Sequence, residues 1–134
     1  MTLVDTNILI DILSNDPNWR AWSQTRLEER SSKGPLVIND IVYAEMAARF
    51  GTHEQLDAEI AGFDVVLQRM PKPALFLAGR AYERYRRFGG TRTGVLPDFF
   101  IGAHAQVAQW PLLTRDVDRY RAYFPDVELI APTA

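Results

Sequence analysis

The sequence contains no cysteine. That excludes disulfide scaffolds, thiolate metal sites and cysteine nucleophiles, and it fits a reducing compartment. Lysine is almost as scarce. Lys33 and Lys72 are the only two among fifteen basic residues, so the other thirteen are arginines. Long apolar runs are missing too: no stretch approaches the ~20 residues of a membrane-spanning helix, so no membrane partner is expected. The opening, Met1-Thr2-Leu3-Val4-Asp5, lacks the basic-then-apolar layout of a secretion signal, which makes the cytoplasm the expected location. Nor is there an internal repeat or a low-complexity stretch. The 134 residues read as one domain, 1–134, large enough for one real core.

Charge of one sign is also lacking, since 15 basic residues face 17 acidic ones for a net charge of −2. Such a chain does not coat nucleic acid by its overall charge. It could still grip a short stretch with a local cluster. Arg80, Arg84, Arg86, Arg87 and Arg92 lie close in sequence, as do Arg115, Arg119 and Arg121. Taken alone, such runs read as solvated helix faces.

What is present is a regular alternation of short apolar strands and helices. Leu3-Val4 reads as a strand, followed by a helix capped at Asn7 and ending at Leu13. Asp16-Pro17 has the cap-then-proline start of a second helix, which carries Trp19 and Trp22 to about Arg30. Leu36-Val37-Ile38 is a second strand, and Asn39 or Asp40 caps a helix through about Phe50. Thr52-His53-Glu54-Gln55 has the spacing of a capping box. Val65-Val66-Leu67 is a third strand, and a long helix then runs to about Phe88. Residues 91 to 97 read as a polar loop, and Pro97-Asp98 starts a largely apolar helix through about Gln109. Leu112-Leu113 leads a fourth strand, a short helix follows from about Asp116 to Tyr123, and Val127–Ile130 is a fifth strand. This order predicts an α/β fold with a mainly parallel five-stranded sheet flanked by helices.

In such a sheet, ligands gather at the carboxyl ends of the strands. Asp5 directly follows the first strand, and Asp116 follows the fourth by two residues. Glu45 lies on the helix after the second strand, and Asp98 opens a helix whose start faces the same edge. Each acid has a bland reading, as a cap or a surface charge. Against it, Asp5 and Glu45 sit among apolar and small residues, and a buried unpaired carboxylate is expensive. Four acids at one edge repel each other unless a cation neutralises them. Hard oxygen donors select Mg²⁺ or Mn²⁺ over zinc.

Four short motifs then carry a resemblance. Leu3-Val4-Asp5-Thr6-Asn7 resembles the opening of PIN-domain nucleases. Asn39 with Glu45 six residues on resembles the family's second motif, with Asn where Ser or Thr is commoner. Pro97-Asp98-Phe99-Phe100-Ile101-Gly102-Ala103 resembles the third, and Leu113-Thr114-Arg115-Asp116 the fourth. The resemblance implies a PIN-like three-layer sandwich and metal-dependent endonucleolytic cleavage of RNA. Asp5, Glu45, Asp98 and Asp116 would then be the catalytic, metal-binding quartet. Asn7 and Thr114 would orient it, and Asp118 would be a further acid close by. The compact length is most similar to VapC-type toxins, which implies a cognate antitoxin and a homodimer. The aromatics Trp19, Trp22, Tyr43, Phe50 and Phe63 exceed what one small core usually needs, and part of that set is expected at the two-fold interface.

The chemistry needs no histidine. His104 reads as a core residue, and His53 as a solvent-facing or capping one. Two other enzyme classes place an Asp after the first strand. A haloacid-dehalogenase-type phosphatase needs a second acid where Asn7 stands, and both it and a receiver domain need a lysine late in the chain. The last lysine is Lys72, which disfavours both. The alternatives left open are a PIN-fold protein of RNA processing outside toxin–antitoxin systems and a catalytically silent binding module.

Overall fold

The computed structural model describes residues 1–92 and 94–133; Thr93, inside the expected 91–97 loop, and Ala134 lie outside it. Strand β1 is Thr2–Val4, and it leads into helix α1, Thr6–Leu13. Helix α2 is Arg20–Lys33, strand β2 is Leu36–Ile38, and helix α3 is Asp40–Ala47. Helix α4, His53–Gly62, precedes strand β3, Val65–Leu67, and helix α5, Lys72–Arg87. Helix α6 is Leu96–Ala108, strand β4 is Leu112–Leu113, helix α7 is Asp118–Tyr123, and strand β5 is Leu129–Ile130.

The five strands form one sheet in the order β3-β2-β1-β4-β5. Every pairing among the described residues is parallel, with Leu3 opposite both Val37 and Leu112. A parallel sheet needs cover on both faces, so its central strands read as unbroken apolar runs. Leu3, Val4, Val37, Ile38, Leu112 and Leu113 are accordingly all fully buried.

Local chemistry sets the helix starts, and in three places it differs from expectation. The cap of α1 is Asp5, whose Oδ1 accepts the Thr6 N–H at 2.7 Å, so Asn7 lies inside the helix. Asp16 does cap, but it closes a turn by accepting the N–H groups of Asn18 and Trp19, and α2 begins only at Arg20. Helix α7 starts two residues later than expected, which leaves Asp116 in the loop after β4. Asn39 caps α3 as expected, accepting from the N–H groups of Ile41 and Val42, though that helix stops at Ala47 rather than near Phe50. Thr52 caps α4 through the Gln55 N–H.

Helix α6 is the buried centre of one face. Gly102 brings it so close to the Phe124 ring that a Cβ would overlap it. His104 is buried on the same helix, with Nδ1 3.2 Å from the Asn39 amide and its ring packed on Trp110. Burial pushes its pKa down. It is the core residue that the sequence suggested, and it ties α6 to the start of α3.

The aromatics of the early helices are not left bare. Trp22, Tyr43, Phe50 and Phe63 are half-buried against the core, and Trp19 is half-buried beside Trp22. Among the described residues the large exposed apolar side chains include Val66, Leu67, Leu75, Phe76 and Phe88, all on or near β3 and α5.

Candidate active site

At the carboxyl edge of the sheet, β1 and β4 lie side by side. Asp5, one residue past β1, is only 5% exposed. Its Oδ2 accepts the Thr114 hydroxyl at 2.8 Å, the Tyr120 hydroxyl at 2.9 Å and the Asn7 amide at 3.4 Å. Loss of hydration penalises the ionised form, and the negative charge of Asp98 adds to the penalty. The hydrogen bonds from Thr114 and Tyr120 oppose both. The carboxyl is left raised from 3.8 to about 6.

Asp98 sits in the first turn of α6, behind Pro97. It is held by the Arg119 guanidinium from α7, a side chain only 13% exposed. Burial nevertheless pushes Asp98 up, and the charges of Asp116 and Glu45 push the same way. Those couplings bring all four predicted acids to one neighbourhood: Asp5 feels Asp98, and Asp98 feels Asp116 and Glu45.

Glu45 is a correction. The alanines around it suggested burial, but α3 turns Ala44, Glu45 and Ala47 to the surface, and Ala48 just past it is exposed too. What fixes the side chain is a 2.7 Å hydrogen bond from the Thr6 hydroxyl to its Oε1. Asp116 is exposed as well, and its N–H donates to the Thr114 oxygen at 3.1 Å. Asp118 is exposed at the start of α7, and none of these contacts joins it to the group. Asn7 and Thr114 lie 3.3 Å apart, and both donate to Asp5.

The donor set is therefore oxygen-only, acidic and partly desolvated. Among the described residues no three acidic or histidine side chains form a ready metal cage as they stand. The carboxylates are engaged instead: Asp5 by three side-chain donors, Glu45 by Thr6 and Asp98 by Arg119. Oxygen donors of this kind are chemically suited to a hard divalent cation that keeps several of its waters.

Comparison with known families decides the kinship: the PIN domain matches residues 2–125. The chain belongs to the PIN-domain family. Solved structures agree on the fold. A chain of VapBC2 from Rickettsia felis, bound to a DNA fragment from its promoter, is 18% identical, with 98% of each chain covered and a TM-score of 0.74. A chain of a toxin–antitoxin complex from Klebsiella pneumoniae is 26% identical over 95% of each chain, with a TM-score of 0.67. VapBC-5 from Mycobacterium tuberculosis, a member of the VapBC family of toxin–antitoxin systems, is 16% identical, with 99% of this chain and 98% of that one covered and a TM-score of 0.57. No curated protein matches.

In this PIN domain several residues that the sequence did not single out hold the acids in place. Thr6 links Glu45 to α1, Tyr120 is a buried donor to Asp5, and Arg119 is the counter-ion of Asp98. The largest omission is Asp11. It is 2% exposed, and it binds Arg115 through two hydrogen bonds, Nε–Oδ2 at 2.6 Å and Nη2–Oδ1 at 2.7 Å. Ser23 donates to the same carboxylate at 2.6 Å, and the guanidinium lies 4.9 Å over the Trp19 ring. Arg115 is the residue between Thr114 and Asp116, and its N–H also donates to Asn7. The Asp11–Arg115 pair thus clamps the segment that carries two site residues onto α1. One signal was available: an Asp between Ile10 and Ile12, one turn after Asn7, needs a partner if its helix packs on a sheet.

Proposed function

We propose that this PIN domain is an Mg²⁺- or Mn²⁺-dependent endoribonuclease and the toxin of a toxin–antitoxin pair. The observation that carries the nuclease reading is the buried Asp5 at the carboxyl edge of the sheet, within electrostatic reach of Asp98, which in turn feels the charges of Asp116 and Glu45. A fold has little reason to keep four acids together unless a cation completes them. RNA as the substrate follows the family resemblance.

Asp5 and Asp98 would hold the ion directly, with Glu45 and Asp116 binding it directly or through water. When bound, the divalent cation supplies a hydroxide from water near neutral pH and neutralises charge on the phosphodiester. The chain's own part is preparation. Thr114, Tyr120 and Asn7 aim one oxygen of Asp5 and favour its ionised form. Thr6 orients Glu45, which is exposed and free to take a proton from an attacking water. Arg119 favours the ionised form of Asp98 against burial, and a phosphate brought to the site would meet it as a guanidinium donor.

The toxin role is supported by the toxin–antitoxin complexes from Klebsiella pneumoniae and Mycobacterium tuberculosis, whose chains share the fold from end to end. A cognate antitoxin and a homodimeric state belong to the same proposal. No helix among the described residues is long and apolar enough to cross a membrane, which is compatible with action on cytoplasmic RNA.

The test is cleavage of a labelled RNA in Mn²⁺, with and without chelator, by the wild type and by Asp98→Asn. Internal cuts that vanish on chelation and in the variant support the reading. Cleavage that survives both would refute it, and no cleavage by freshly metallated wild type would make the chain a binding module.

A further inference from the structure

Arginine is unevenly spread over this chain of net charge −2. Helix α5 carries Arg80, Arg84, Arg86 and Arg87, and its single acid, Glu83, is paired with Arg87 at 2.8 Å. Phe76, Arg80, Arg84 and Arg87 follow one another at spacings of four, four and three residues, which puts them along one stripe of the helix. All four are exposed, and Arg80, Glu83, Arg84 and Arg87 line a shallow depression.

The stripe also carries aromatic rings, each beside a guanidinium. Arg80 lies 5.5 Å from the Phe76 ring centre, and Arg87 lies 5.7 Å from that of Phe88. These two rings are 69% and 78% exposed, although a phenylalanine that merely packed would be covered. Toward the acids, guanidinium–ring contacts link the stripe to the site beneath its surface, through half-buried Tyr85 and Tyr123 and buried Phe99. Arg84 sits over Tyr123, whose ring meets Phe99, the neighbour of Asp98, at 5.1 Å. Arg119, the partner of Asp98, lies 5.8 Å over Tyr85. The Tyr85 hydroxyl accepts the Arg92 N–H, which ties Arg92 to α5.

We propose that this stripe of α5 is the track on which a single-stranded RNA lies as it enters the acidic site. The inference rests on the ribonuclease reading and names the surface that serves it. Arg80, Arg84 and Arg87 meet successive phosphates, since a guanidinium binds phosphate oxygens in pairs and never loses its charge. Phe76 and Phe88 stack on bases. Exposed ring faces can be used in this way only by unpaired bases, so the track selects single strands over duplexes. A second copy of the chain is the poorer occupant. In a two-fold contact this patch would face itself, setting arginine against arginine.

The test uses fluorescence anisotropy of a labelled single-stranded oligoribonucleotide and of its duplex, with the intact protein in chelator so that nothing is cut. The variants are Arg80→Gln/Arg84→Gln and Phe76→Ala, with Arg20→Gln/Arg49→Gln as a charge-matched control at other exposed positions. Each variant's melting is checked, and since the side chains are exposed it should match wild type. The expected result is single-strand affinity at least tenfold weaker in the double arginine variant, with a log–log salt slope shallower by about 1.4. Phe76→Ala should lose roughly tenfold with an unchanged slope, and the control should stay within twofold. In Mn²⁺ the same variants should raise KM and leave kcat alone. Unchanged affinity, an equal loss in the control, or a change of oligomeric mass in place of RNA binding overturns the track. So does an acidic peptide that binds the stripe more tightly than the RNA does. If the wild type cuts RNA but KM does not move in the variants, the track fails and the nuclease reading stands. If the wild type cuts nothing, the nuclease reading fails by itself, and the anisotropy still reports on the stripe.

Discussion

Replacing Asp11 by Asn should unsettle both the stability of the domain and its acidic site. The carboxylate is 2% exposed and accepts three charge-assisted or hydroxyl hydrogen bonds, two from Arg115 and one from Ser23. Asparagine keeps the shape but loses the charge and half of the acceptor capacity. It leaves the Arg115 guanidinium, 26% exposed, without its anion. Removing one partner of a buried pair costs about 3–5 kcal/mol. The remaining exposure of Arg115 and its place over Trp19 soften the loss, so the lower end, about 3 kcal/mol, is expected. In a domain of this size that is a fall of about 10 °C in melting temperature. Urea unfolding should show the midpoint drop with an unchanged slope. A double-mutant cycle with Arg115→Met should return a coupling of at least about 1.5 kcal/mol, because each change removes the same contact. Cleavage should fall as well, since the loop bearing Thr114 and Asp116 loses its anchor on α1. A loss under about 1 kcal/mol with no coupling would refute the clamp.

Three shorter expectations concern the acids and the core. Asp5 has a folded pKa near 6 against 3.8 for the free side chain, so its contribution to stability is complete below pH 4 and is lost as pH rises through 6. That amounts to about 3 kcal/mol in the metal-free protein over the whole titration, of which about 2 kcal/mol falls between pH 4.5 and 7.5, read as the change across that range in the unfolding free-energy difference between wild type and Asp5→Asn; a constant difference would count against it. Asp98→Asn should stay within about 1 kcal/mol of wild type without metal, because burial already disfavours its charge and the amide oxygen can still accept from Arg119; a large loss would make Asp98 chiefly the anchor of Arg119. Gly102→Ala drives a methyl into the Phe124 ring and should cost about 1–3 kcal/mol by thermal melting, whereas Gly79→Ala, with open space around it, should not destabilise.

The five strands and the placement of Asp5 and Asp116 after two of them were legible because they depend on patterns that a sequence displays. Short apolar runs ending at Asp5 and just before Asp116 marked the carboxyl edge. Glu45 was misjudged because alanine is as much at home on a helix surface as in a core, so an alanine-rich turn carries little burial information. The helpers escaped for another reason. Tyr120 and Arg119 reach Asp5 and Asp98 across 115 and 21 residues of sequence, and no local spacing encodes such pairings. Asp11 lay in plain view, but its partner is 104 positions away.

That long reach has a consequence for how the protein comes into being. Strand β1 pairs with both β2 and β4, and the oxygen of Asp5 is aimed by Thr114 and Tyr120. A chain emerging from the ribosome presents Asp5 well before Thr114 and Tyr120, and cannot fold the surroundings of that acid until residue 120 has followed. Parallel pairings of this kind must wait for loop closure over most of the chain, and they form late. The partly made chain therefore carries the acids without the geometry that aims them. An interacting protein that captures the nascent helices has that same interval in which to arrive first.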